Sequence, residues 1–300
     1  MSRLGYKNTP VNVLTVANRA MLLNFPGHPD LKRIVVLNPK GGSGKSTLAT
    51  NLVGFLASSG YPSALMDFDP QGSAMRWLQN RSPERPEVFG VAAYERDHSM
   101  TRGFQLQIPR HIRHVVIDTP AALHVQDLIK FTRGAHAIFV PVLPSDIDIH
   151  AAARLMADLL IVAKVSRRMG RLGVVANRVR ENTLGYRKLK LFLDRLSIVV
   201  VGDLRDSQNY VHAADQGISI HEMQPSRVSK DLESWKPITA WFETRLGTEL
   251  TPRDLFRPDS APAARGRGDI RSTDLGIPAV QSISERSQPA PAQGLLEDFP

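Results

Sequence analysis

The stretch that most constrains this 300-residue chain is Asn38-Pro39-Lys40-Gly41-Gly42-Ser43-Gly44-Lys45-Ser46-Thr47. An apolar run, Ile34-Val35-Val36-Leu37, leads into it, and Leu48-Ala49-Thr50-Asn51-Leu52-Val53 follows. The order reads strand, glycine-rich turn, helix, which is the setting of a phosphate-binding loop. Glycines let backbone N–H groups close around phosphate oxygens without Cβ clashes. The helix starting near Lys45 adds its free N–H groups and the positive end of its dipole. Lys45 is placed to reach the terminal phosphates of a nucleoside triphosphate, and the Ser46 hydroxyl to ligate Mg²⁺.

Around this loop, short apolar runs alternate with helical segments from residue 32 to 250. Strands are expected at Ile34–Leu37, Ser63–Met66, His114–Ile117, Ala137–Val142, Gly173–Ala176 and Ile198–Val201, with a weaker one near Val91–Tyr94. Helices are expected over 45–59, 71–79, 121–132, 147–168, 184–195, 207–215 and 230–246. Nearly all-apolar strands alternating with helices predict an α/β fold. With the glycine-rich loop after the first of them, a P-loop NTPase fold is expected, its mostly parallel central sheet covered by helices on both faces. Ligands in such sheets sit at the carboxyl ends of the strands. Two acidic phrases fall there: Asp67-Phe68-Asp69-Pro70-Gln71 after the second strand, and Asp118-Thr119-Pro120-Ala121 after the third. Carboxylates around a metal-bound triphosphate can hold the metal shell or a water nucleophile.

The loop departs from G-x-x-x-x-G-K-S/T. Pro39 stands where the first glycine belongs, and a second lysine, Lys40, precedes Gly41-Gly42. This K-G-G-x-G-K-S/T form resembles the deviant Walker A motif of the ParA/MinD family of dimerising ATPases. The later phrases are similar to that family's D-x-D-P-Q switch I, its hhhhDTPP switch II and its hhhPhxPS segment, here Val140-Pro141-Val142-Leu143-Pro144-Ser145. The resemblance spans about residues 32–246. It implies ATP and Mg²⁺ as ligands, held by Lys40, Gly41, Gly42, Ser43, Gly44, Lys45, Ser46 and Thr47, with Asn177 against the adenine. Lys40 of each protomer would cross to its partner's nucleotide. Ser46 and Asp118 would support the metal, and Asp67 would act on it through water. Asp69 would orient the attacking water; Lys40, Lys45 and Asp69 are the implied catalytic set. Ser145 and Asp146 are read as helix-capping residues rather than as parts of a metal site with Asp148 and His150.

The family divides by partner, and composition bears on the choice. Cysteine is absent, which excludes disulfides and cysteine-held iron–sulfur clusters and suits a reducing cytoplasm. The formal net charge is +9. Residues 251–300 hold six arginines against seven acids, so the positive excess lies in the first 250 residues. That favours a polyanionic partner. No recognition helix or zinc pattern accompanies the basic clusters, so backbone-directed, sequence-independent binding of double-stranded DNA is expected. The candidates are Arg167, Arg168, Arg187, Lys188, Lys190, Arg195 and Arg205.

Residues 1–31 read as an N-terminal extension with a possible short helix over Val11–Leu23, 32–250 as the ATPase domain, and 251–300 as a disordered Pro-, Ala- and Arg-rich tail. That tail does not resemble the basic amphipathic helix with which MinD-type proteins dock on membranes. No membrane anchor is therefore expected, and the DNA-using branch is favoured. The resemblance then implies a cytoplasmic, nucleoid-associated protein that dimerises with ATP. A cargo-bound adaptor would stimulate its hydrolysis, and the cargo would be a plasmid or chromosome, a carboxysome or a protein cluster. A MinD-like membrane regulator, a metabolic ATPase and a non-hydrolysing scaffold are the alternatives.

Overall fold

Ile34, Val35, Val36 and Leu37 are each 0% exposed. A strand reaches that state only in a sheet covered on both faces. The computed structural model describes residues 13–15, 30–94, 108–196 and 198–247. Their strands are β1 (Val13–Thr15), β2 (Lys32–Val36), β3 (Ser63–Asp67), β4 (Val88–Ala92), β5 (His114–Asp118), β6 (Ala137–Val142), β7 (Leu172–Val179) and β8 (Val199–Arg205). They form one eight-stranded sheet in the order β1-β4-β3-β5-β2-β6-β7-β8. Every pairing among them is parallel.

The helices are α1 (Lys45–Ser58), α2 (Ser73–Gln79), α3 (Val125–Thr132), α4 (Asp146–Ala157), α5 (Leu184–Leu196), α6 (Asn209–Asp215) and α7 (Pro225–Leu246). Strand alternation sorts them into two layers. Ile34 and Val36 of β2 join Leu48 and Leu52 of α1, Trp77 of α2 and Trp235 and Phe242 of α7 in one core. Val35 points the other way, into a second core with Phe131 of α3, Leu155 of α4 and Leu189 of α5. β2 lies between β5 and β6, so the chain later builds the sheet outward on both of its sides. That is a topological switch point, where open parallel sheets bind ligands. The glycine-rich loop leaves β2 at this place.

Several expected boundaries shift for identifiable reasons. Of the possible short helix over Val11–Leu23, only Val13–Thr15 are among the described residues, and they form a strand paired with Gly90–Ala92 of β4. A backbone that completes a ladder there outweighs weak helical spacing. The helix expected to begin at 121 starts at Val125, because Ala122 adopts φ +56° and its N–H donates to Pro39 O at 2.8 Å. The helix expected over 147–168 breaks. After α4 the chain makes one π turn, Asp158–Val162, with Ala163 N–H donating to Asp158 O. Lys164 then takes φ +51°, which no α-helix continues through. The tail expected over 251–300 lies outside the described residues.

Candidate functional site

The loop after β2 is built as an anion cradle. Gly42 and Gly44 have φ of +74° and +92°, so successive N–H groups turn inward as only glycine readily permits. α1 has no side-chain cap and no acid in its first turn, so its N-terminal N–H groups and dipole are left for a ligand. The loop is braced from behind. Asn38 Nδ2 donates to Pro141 O at 2.8 Å while its Oδ1 accepts Lys40 N–H at 2.9 Å. Asn177 Nδ2 donates to Ser43 O at 2.9 Å. A Cβ on Gly44 would fall 2.1 Å from that same Nδ2, so this glycine answers both to its φ and to the brace.

A cleft of about 550 Å³ opens over the loop, within the usual range for small-ligand sites. Gly41, Gly42, Gly44, Lys45, Ser46 and Thr47 line it from below, and Asp69, Pro70, Gln71 and Ser73 from the side. Ala121 and Arg178 complete the lining. Ser43 is fully buried beneath the loop. Lys45 is 5% exposed and its Nζ donates to Lys40 O at 3.2 Å. Burial lowers its pKa, against the pull of the Asp118 and Asp69 carboxylates.

The three acids play different parts. Asp69 faces the cleft, and its Oδ1 accepts Gln71 N–H at 3.0 Å. Asp67 is buried beneath, and among the described residues its carboxylate bonds backbone N–H groups alone. Its Oδ1 accepts Asp69 N–H at 2.9 Å, and its Oδ2 accepts Ala74 and Met75 N–H at 3.1 Å each. It therefore anchors the switch I turn and the start of α2. Burial pushes its pKa up to about 6, partly countered by those N–H groups. Asp118 is fully buried, and neither carboxylate oxygen has a hydrogen-bond partner among the described residues. Burial, then the nearby Asp67 charge, pushes its pKa up to about 8, with Ser46 and Lys45 drawing it back only in part. Two orphaned carboxylate oxygens beside a serine hydroxyl form a hard, all-oxygen donor set that fits Mg²⁺. Such a cation would restore the charge that burial disfavours.

Lys40, expected to reach another protomer, is held within its own. Its Nζ lies 2.6 Å from Oδ1 of Asp148, which is 5% exposed while Lys40 is 32% exposed. Ser145 caps α4, its Oγ accepting Asp148 N–H at 3.2 Å. Asp146 pairs with Lys188 at 2.8 Å. Asp148 was visible in the sequence beside the capping residues, but only the fold brings it to Lys40.

The basic candidates are spread over separate surfaces. Arg187, Lys188, Lys190 and Arg195 are exposed on α5, and Arg168 is exposed in the short turn Arg167–Met169. Lys190 lies 3.7 Å from Asp203 and over the Tyr186 ring. Arg205 is half-buried against Asp231 at 3.2 Å. Among the described residues Arg168, Arg187 and Arg195 make no ion pair. Neither is any helix there long and apolar enough to cross a membrane.

A parallel sheet whose switch-point strand feeds a glycine-rich anion cradle, with a metal-ready aspartate ending the adjacent strand, defines a P-loop nucleotide-binding protein. The CobQ/CobB/MinD/ParA nucleotide-binding domain model matches residues 34–220, and the chain belongs to that family. It is similar to maintenance of carboxysome distribution protein A of Halothiobacillus neapolitanus, 27% identical over 191 residues, covering 63% of this chain and 87% of the relative. The protein of the same name from Gloeobacter kilaueensis is 31% identical over 156 residues, covering 51% of this chain and 65% of the relative. The fold matches the ATP complex of a McdA variant from Cyanothece with a TM-score of 0.56 at 16% identity, over 73% of this chain and 98% of that one.

Proposed function

We propose that this protein is an ATPase that dimerises with ATP and Mg²⁺ and positions a cytoplasmic cargo by reversible binding to nucleoid DNA. The observation that carries the reading is the pairing of an uncapped glycine cradle holding Lys45 with the orphaned Asp118 beside Ser46. Ser46 and Asp118 would hold Mg²⁺, which would supply positive charge beside the transferred phosphoryl group. Asp69, on the open side of the cleft, orients the attacking water. Asn177, which braces Ser43, would meet the adenine with the N–H and lone pair that its two bonds leave over.

Lys40 leaves Asp148 and reaches the partner's phosphates, so two protomers close face to face over two nucleotides. Each contributes basic side chains, and joining them doubles the phosphate contacts made with DNA. Arg168, Arg187 and Arg195 are the strongest contributors in this reading because no acid among the described residues pairs with them. The two relatives named for carboxysome distribution support a positioning role. Hydrolysis, stimulated by an adaptor on the cargo, separates the dimer and releases DNA.

The test is binding of the full chain to non-specific duplex DNA with ATP, with ADP and without nucleotide, over a salt series. Affinity should be far tighter with ATP and fall steeply with salt. Equal, negligible binding in all three states would leave a membrane or small-molecule partner to explain the same loop.

A further inference from the structure

At the edge of the sheet opposite the cleft, β5, β2, β6 and β7 begin side by side and parallel. Each begins on cations: Arg113 just before β5, Lys32 and Arg33 on β2, His136 just before β6, and Arg171 just before β7. Neighbouring strands lie about 4.8 Å apart, so the row is about 14 Å long. The one ion pair along it among the described residues joins Arg113 to Asp30 at 2.6 Å.

Two guanidiniums in the row are fixed in place and lack an acid. Arg33 and Arg171 are half-buried. Arg33 donates through one terminal nitrogen to Arg133 O at 2.9 Å. Arg171 donates to Ala135 O at 3.1 Å, and its Nε is fully buried without a partner among the described residues. Both are thus anchored to the one turn, 133–135. His136 follows it, and its Nδ1 accepts the Arg33 N–H at 3.0 Å, so the neutral ring carries its proton on Nε2. Burial lowers the His136 pKa, and the Lys32, Arg33 and Arg171 charges lower it further. Burial lowers that of Arg33 as well. Lys32 makes no ion pair among the described residues. Half-buried cations without an anion are costly, and an oxyanion bound among them removes that cost.

The same edge also carries apolar surface. Met169, 63% exposed, stands two residues before Arg171, and Val199, 45% exposed, opens β8 opposite Gly173 of β7.

We propose that this edge docks an acidic segment of a protein partner, its carboxylates on Lys32, Arg33 and Arg171 and an apolar side chain on Met169 and Val199. A guanidinium fork matches a carboxylate bidentately. Duplex DNA fits this edge less well. Its phosphates give nothing to Met169 or Val199, and a half-buried guanidinium tethered to a carbonyl does not reach out to follow a backbone. The edge lies at the far end of the strands from the cleft, so docking does not depend on the ATP reading and occurs with or without nucleotide.

Fluorescence anisotropy of the full chain without nucleotide tests this with three labelled probes: a short peptide alternating glutamate and leucine, its counterpart with glutamine for glutamate, and a short DNA duplex. The acidic peptide should bind saturably, about tenfold tighter than the glutamine peptide, and weaken with salt. Lys32→Gln and Met169→Ser alter side chains that anchor nothing, so the fold should melt as the wild type does. Each should weaken the acidic peptide about threefold to fivefold. Arg171→Gln removes stronger, charge-assisted bonds and should weaken it about tenfold. ATP affinity should be unchanged in all three variants. No saturable binding of the acidic peptide, equal binding of the glutamine peptide, or wild-type affinity in Lys32→Gln and Arg171→Gln overturns the inference. Variants that lose the duplex while keeping the peptide would assign the edge to nucleic acid and overturn it too.

Discussion

Gly44 is the position where the loop's geometry can be tested most sharply. An alanine there must accept φ +92°, and its Cβ would stand 2.1 Å from Asn177 Nδ2 and 3.3 Å from Asn177 Cγ. The left-handed backbone costs roughly 1–2 kcal/mol. Pushing Asn177 aside breaks the buried bond to Ser43 O at 2.9 Å. An unsatisfied buried polar group costs about 1–3 kcal/mol. Gly44→Ala should therefore lose about 2–5 kcal/mol of a stability expected near 5–15 kcal/mol. Denaturant unfolding of the full chain measures the loss, and the same titration with ATP should show its stabilisation abolished. Asn177→Ala alone removes the brace. In the double variant the clash is gone but the strained φ remains. The two single losses should then exceed the double loss by at least about 1 kcal/mol. Losses that add to within about 0.5 kcal/mol would refute the claim that Gly44 and Asn177 are locked together.

Two further perturbations follow from particular contacts. Asp148→Asn weakens the hold on Lys40 within its own protomer, and at about 1 kcal/mol for each of the two pairs released it should tighten ATP-dependent dimerisation about thirtyfold; an unchanged dimer constant in sedimentation equilibrium would show that Lys40 is not restrained there. His221 packs between the Phe55 and Trp235 rings at 4.8 and 5.2 Å, and burial lowers its pKa to about 4 despite the Glu222 charge. Its folded value lies below the unfolded one near 6.5, so the unfolded chain binds the extra proton between the two. The stability it contributes is full above pH ~6.5 and is lost as pH falls toward 4, by up to about 3 kcal/mol. His221→Phe keeps the ring and removes the proton site, so its stability should decline less steeply than the wild type's over that range; parallel curves would contradict the assignment.

The cradle was legible because glycine, lysine and hydroxyl residues at fixed spacing after an apolar strand have little other use. The central strands were legible for a related reason: Ile34–Leu37 and Ala137–Val142 carry no polar face to place in water. Ends governed by long-range contacts were not. Nothing in Ala121-Ala122 announces the bond to Pro39 that delays α3, and nothing in the apolar spacing of 147–168 announces the π turn. Asp67 reads equally well as a metal-shell residue and as an anchor, and the choice depends on which N–H groups the fold brings to it. The same holds for charge. Lys188, Lys190 and Arg205 look like open cations in sequence, yet each finds an acid across the fold. The basic edge is not legible either, because Arg33, His136 and Arg171 meet only through the parallel pairing of β2, β6 and β7.

The step on which the proposed cycle depends is the joining of two copies of this chain by ATP through Lys40. Sedimentation velocity of the full chain in Mg²⁺, with ATP, with ADP and without nucleotide, measures this directly, using Asp69→Ala to slow hydrolysis. A species of twice the mass with ATP alone, abolished by Lys40→Ala at unchanged ATP affinity, is the predicted result. A monomer under all three conditions, or a dimer indifferent to nucleotide and to Lys40, would contradict it.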